Sequence, residues 1–119
     1  MRYLSVIRAA EQQGTPPAGF MEAIERYVTK SLHDGTVVST GGLAPSAAAA
    51  RIQSKNGKVT VVDGPFAESK EVIGGYAVIA ADSRDAAIRA TKEFMQLHAD
   101  HWPAWQGECE LRELVFLAP

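Results

Sequence analysis

Val72-Ile73-Gly74-Gly75-Tyr76-Ala77-Val78-Ile79-Ala80-Ala81 is apolar at odd and even positions alike and is interrupted only by its glycine pair. Such a run predicts a central strand covered on both faces, and glycines inside it, at roughly 1 kcal/mol each, mark a close approach by another group. Asp82 is the expected cap of a following helix, with Asp85 in its first turn opposing the helix dipole. Ala87, Thr91, Phe94 and His98 recur along one face of that helix, flanked by Ala90, Leu97 and His101, and Pro103 stops it near His101.

Working outward, Tyr3 to Ile7 alternates as a strand, and Thr15-Pro16 predicts the start of a first helix. Phe20, Ile24, Tyr27 or Val28, and Leu32 then form its apolar stripe, Glu22, Glu25, Arg26 and Lys30 face water, and Gly35 supplies a left-handed stop. Thr36 to Thr40 reads as a second strand, with a bulge or close approach at Gly41-Gly42. Asn56-Gly57, lying between Arg51-Ile52-Gln53 and Val59 to Val62, predicts a hairpin with positive φ at both turn residues. Leu111 to Leu117 is expected as the last strand, although Glu113 breaks its alternation.

This order predicts one α+β domain over residues 1–119, a ferredoxin-like βαββαβ fold with an inserted β-hairpin. Two helices cover one sheet face, so a second copy is the expected cover of the other, making a homodimer.

The bulk properties narrow the function. At 119 residues the chain is long enough for a core without disulfides or structural metals. Its formal net charge is -2 and its basic residues are scattered, which argues against nucleic-acid binding. One cysteine, Cys109, excludes an internal disulfide and a cysteine-based zinc site, in keeping with a cytoplasmic location. No apolar run approaches the ~20 residues of a membrane span, and the N-terminal run is too short for an export signal.

The segment Asp63-Gly64-Pro65-Phe66-Ala67-Glu68-Ser69-Lys70-Glu71, followed by Gly74-Gly75-Tyr76, resembles the signature of the DGPF branch of the YCII-related family. Tyr3, Gly42-Leu43, Pro45, the stretch from Asp82 to Ala87 and the tail from His98 to Glu110 extend the resemblance, while Ser69 stands where a threonine is expected. The resemblance implies a dimeric α/β barrel with no agreed reaction; monooxygenases, isomerases and dehydratases share that architecture, and fold alone does not select among them. The histidine and aspartate of better-known YCII clefts have no motif-matched positions in this chain.

Several residues can carry chemistry. Asp63, at a strand end before Gly64-Pro65, is expected first to organise its turn, and alternatively to exchange a proton in a cleft between the signature loop and the second helix. His98 is the other acid–base candidate. Phe66, Lys70, Tyr76, His101, Trp102 and Trp105 are the expected ligand-binding residues, although a core anchor, a solvated charge run and a sealed core edge are the plainer readings of Phe66, of Glu68-Lys70-Glu71 and of the tryptophans. His98 and His101 have a spacing permissive for a metal, but only Glu108 offers a third ligand, so no metal or cofactor is expected. Two functional readings follow: a small-molecule binding protein or enzyme, and an accessory dimer that docks a protein partner through Trp102 and Trp105.

Overall fold

The computed structural model describes residues 1–66 and 70–116; Ala67, Glu68 and Ser69 of the signature and Leu117 of the expected last strand lie outside them. Among the described residues the chain runs β1 (Arg2–Ala9), α1 (Ala18–His33), β2 (Val37–Gly42), a short 3-10 turn (Ser46–Ala48), β3 (Ala50–Lys55), β4 (Lys58–Asp63), β5 (Val72–Ala80), α2 (Arg84–His101) and β6 (Gly107–Glu113). The main sheet has the order β2-β5-β1-β6, antiparallel throughout, and β3-β4 forms a separate ribbon. This is the expected ferredoxin-like α+β arrangement with its inserted hairpin.

The run from Val72 is central, held between β1 and β2. Tyr3 pairs with Ile79, Ser5 with Ala77 and Ile7 with Gly75, and Tyr3, Ile79 and Ala87 form the buried core that these pairs build toward the helices. The intervening pairs, Leu4 with Val78 and Val6 with Tyr76, lie on the opposite face. No element of the chain packs over that second face among the described residues, and Tyr76 is 37% exposed on it.

Several boundaries differ from expectation. Helix α1 begins after Pro17 rather than at Thr15-Pro16, because a residue followed by proline is held extended and Pro16 precedes another proline. Leu32 is exposed, and the buried stripe of α1 runs instead through Phe20, Ala23 and Ser31. Ser83, not Asp82, caps α2, since its hydroxyl reaches the Ala86 amide at 3.1 Å. The last strand starts at Gly107 and ends at Glu113: Cys109 and Leu111 face the helices while Glu108, Glu110 and Arg112 face away, so the alternation extends back from Leu111 rather than forward. Gly35, with φ of 82°, terminates α1 as expected.

In the hairpin turn Asn56 and Gly57 have φ values of 53° and 77°, both in the left-handed region that the turn type demands. Ile52 lies opposite Val61 and Ser54 opposite Val59, and Ile52, Val59 and Val61 are 67%, 69% and 65% exposed on this apolar ribbon face. The radius of gyration, 16.0 Å, exceeds the ~13.5 Å of a compact chain of this length, as expected of a projecting arm.

The arm is fastened at its base. The Glu11 carboxylate accepts hydrogen bonds from the amide and hydroxyl of Ser46, and the Gly64 amide donates to the Ala49 carbonyl at 2.8 Å. A Cβ at Gly64 would run into the carbonyl oxygen of Ser46. Gly64→Ala is therefore expected to cost ~2–3 kcal/mol through this backbone clash. Gly57→Ala, where the added carbon meets no neighbouring atom, is expected to cost ~1 kcal/mol from φ strain alone. Urea denaturation of the two variants measures the difference, and equal midpoints would contradict it.

Candidate functional site

Helix α1 packs on β2 and α2 on β6, and the two helices touch each other, so they straddle the central strands. The side chains that β1 and β5 aim into the space beneath include small ones at Ser5, Gly75 and Ala77. A cavity of about 580 Å³ results, a volume ordinary for a small-molecule site. Phe20, Ile24 and Tyr27 of α1 and Thr91 and Phe94 of α2 form its helical wall, and Thr40-Gly41-Gly42 of β2 lies at one side. Gly75 keeps that side tight: a Cβ there would come within 3.0 Å of the Gly41 carbonyl oxygen and 3.4 Å of the Ile7 side chain.

Among the described residues, the lining contains no aspartate, glutamate, lysine, arginine or histidine. Its polar groups are largely engaged with the protein. Tyr27 donates its phenol proton to the Ala90 carbonyl at 2.8 Å, Thr91 its hydroxyl to the Ala87 carbonyl at 2.9 Å, and Thr40 its hydroxyl to the Tyr76 carbonyl at 2.8 Å. Burial raises the Tyr27 phenol above its ordinary value, so it stays protonated. Burial likewise pushes up the Cys109 thiol, whose proton points at the Met95 sulfur at 3.4 Å. A thiol held protonated in this way is a poor nucleophile.

An aromatic cluster closes the end of the cavity at Phe20 and Phe94. The His98 ring lies 4.8 Å from the Phe20 ring, 4.9 Å from Phe94 and 4.4 Å from Trp105, while Trp102 stacks edge-on to Phe20 at 5.3 Å. His98 Nδ1 donates to the Phe94 carbonyl at 3.1 Å, which leaves its lone pair on Nε2. The expected residues His98, Trp102 and Trp105 are thus brought together, but behind the cavity wall. His101, one turn on, is exposed.

The signature residues are elsewhere. Asp63 is exposed at the end of β4, Phe66 lies under the Arg51 guanidinium at 3.8 Å, and Lys70 is exposed. Tyr76 is the one expected ligand residue in the cavity lining; its hydroxyl is 3.0 Å from that of Ser39 on the far face of the sheet. Ser5, Tyr27, Thr40, Thr91 and Phe94 were not singled out as site residues by sequence. For Ser5 the signal is the placement of small side chains on one parity of β1 and β5, which becomes visible only once their register is known, and the others are marked only by the packing of the helices and β2 around that surface.

The antiparallel sheet order and the two helices on one of its faces place the protein among small α+β proteins of ferredoxin-like fold. The chain belongs to the YCII-related domain family, whose model matches residues 1–104. It is also similar to an uncharacterized protein of Rhizobium meliloti (strain 1021), 29% identical over 99 residues that cover 83% of this chain and 73% of that protein.

Burial in the aromatic cluster lowers the His98 pKa from its ordinary value, against a smaller opposing effect of the Phe94 hydrogen bond. Above the ordinary value both folded and unfolded chains carry a neutral imidazole. Below it the unfolded chain takes the proton first, so this contribution to stability is full at high pH and falls as pH drops toward the depressed folded value. Urea midpoints should therefore fall between about pH 7.5 and about pH 5.5 in the wild type and fall less in His98→Leu. Identical pH dependence in both proteins would exclude His98 as its source.

Proposed function

We propose that this protein is a homodimeric binding protein for a small, largely apolar organic molecule, held between the two helices and the sheet. The observation that carries this reading is the cavity of about 580 Å³ with no charged side chain among the described residues of its lining. It shifts the ligand from the cleft expected between the signature loop and the second helix to the space under the helices. Acid–base chemistry by Asp63 or His98 is the weaker version, because Asp63 faces solvent and His98 stands behind Phe20 and Phe94. Docking of a protein partner through Trp102 and Trp105 is weaker too, since both rings are half-buried against Phe20 and His98.

The homodimer is supported by the second sheet face. Leu4, Val6 and Val78 lie half-buried there beside Tyr76, bordered by Glu110 and Arg112 of β6. A sheet with one face on helices gains most by burying the other, and an identical copy offers an equally apolar, self-complementary surface. The exposed Ile52, Val59 and Val61 of the hairpin add apolar surface that an isolated two-stranded ribbon cannot shelter. The run Asp63-Gly64-Pro65-Phe66 supports assignment to the DGPF branch, and a single free cysteine suits the cytoplasm.

Two measurements test the proposal. The neutral dye Nile red is expected to bind saturably at one site per chain, and Ala77→Leu or Thr91→Leu, which fill the cavity, should weaken it at least about 10-fold while circular dichroism stays native. Unsaturable binding, or binding unchanged in both folded variants, would remove the ligand site. In sedimentation the wild type should be a dimer and Val78→Asp a monomer, because a buried unpaired carboxylate is strongly unfavourable at an apolar interface. A wild-type monomer at high micromolar concentration would remove the dimer.

A further inference from the structure

We infer that the cavity selects uncharged molecules that carry a hydrogen-bond donor, such as a phenol or an indole-like N–H, and rejects carboxylates of the same shape. The inference rests on the cavity being the binding site and goes on to state its chemistry. Tyr27, Thr91 and Thr40 have each given their hydroxyl proton to a backbone carbonyl, of Ala90, Ala87 and Tyr76. The Cys109 proton is given to Met95, and the Ser5 hydroxyl is hydrogen-bonded to the Cys109 sulfur.

What these side chains have left to offer a ligand is lone pairs. An oxygen that has donated its proton still accepts, so the Thr91 hydroxyl on the helical wall is an acceptor for a ligand, whereas the Tyr27 oxygen is already hydrogen-bonded to Ser31. An incoming donor is matched by Thr91. An incoming carboxylate finds no cationic side chain among the described lining residues, and the protons of Tyr27, Thr91 and Thr40 turn to it only by abandoning a backbone carbonyl. The neutral hydroxyl of Ser5, otherwise given to the Cys109 sulfur, does not offset stripping a charge of its water. A neutral ligand without a donor enters by apolar burial alone and binds at an intermediate level.

Competition against Nile red by three probes of one shape tests this: naphthol, methoxynaphthalene and naphthoate at neutral pH. Naphthol is expected to bind tightest, methoxynaphthalene about 10-fold weaker for want of the donor, and naphthoate more than about 100-fold weaker. Thr91→Val, checked for native circular dichroism, should narrow the gap between naphthol and methoxynaphthalene. Naphthoate binding as tightly as naphthol, naphthol no tighter than methoxynaphthalene, an undiminished gap in Thr91→Val, or failure of all three probes to displace a bound dye would each overturn the inference. Those outcomes leave the cavity as a binding site. Failure of Nile red itself to bind saturably would instead defeat the binding reading beneath it.

Discussion

The register between β1 and β5 is the constraint on which the rest depends. Setting Tyr3 against Ile79, Ser5 against Ala77 and Ile7 against Gly75 puts one large pair at one end of the helix-facing surface and small residues along its middle. A shift of one residue would turn Leu4, Val6, Val78 and Tyr76 toward the helices and send the core residues to the other face. The buried core at Tyr3, Ile79 and Ala87 and the open space beyond it are therefore two consequences of one pairing. Close packing normally eliminates such space in a protein interior, and here the row of small side chains beneath the two helices is what leaves it open.

The helices complete it by packing against each other over the sheet, in part through aromatic rings. Phe20 from α1 and Phe94 from α2 each belong to both the cavity wall and the cluster around His98. Trp102 and Trp105, just past the end of α2, close the outside of that cluster. The depressed basicity of His98 and the seal of the cavity then have the same origin, the exclusion of water by five rings. A histidine so placed contributes packing and a fixed hydrogen bond to the Phe94 carbonyl.

The signature loop has a structural task. Glu11 holds Ser46, the Ser46 carbonyl leaves no room for a Cβ at Gly64, and Phe66 lies against Arg51, so the loop joins the hairpin to the sheet by contacts that only those residue types allow. A motif that stands out in sequence is in this case the joint of an arm, and an exposed apolar surface, on Ile52, Val59 and Val61, is carried by that arm.

Local rules settled the elements. Alternation at Tyr3 to Ile7, the helical stripe through Phe20 and Ile24, Asn56-Gly57 and the apolar run from Val72 each encode one element through the conformations of a few neighbouring residues, and element order then implies the ferredoxin-like fold. Where the local signals competed, as between Asp82 and Ser83 for one cap or between forward and backward alternation around Leu111, hydrogen bonds to distant chain decided. The site lay beyond those rules. Ser5, Ala77, Thr91 and Tyr27 are far apart in the chain and unremarkable singly, whereas Asp63, Lys70 and His101 are conspicuous as residue types and face solvent. A cavity depends on what several elements leave unfilled between them, and that is a property of their packing in three dimensions, which no single stretch of chain carries.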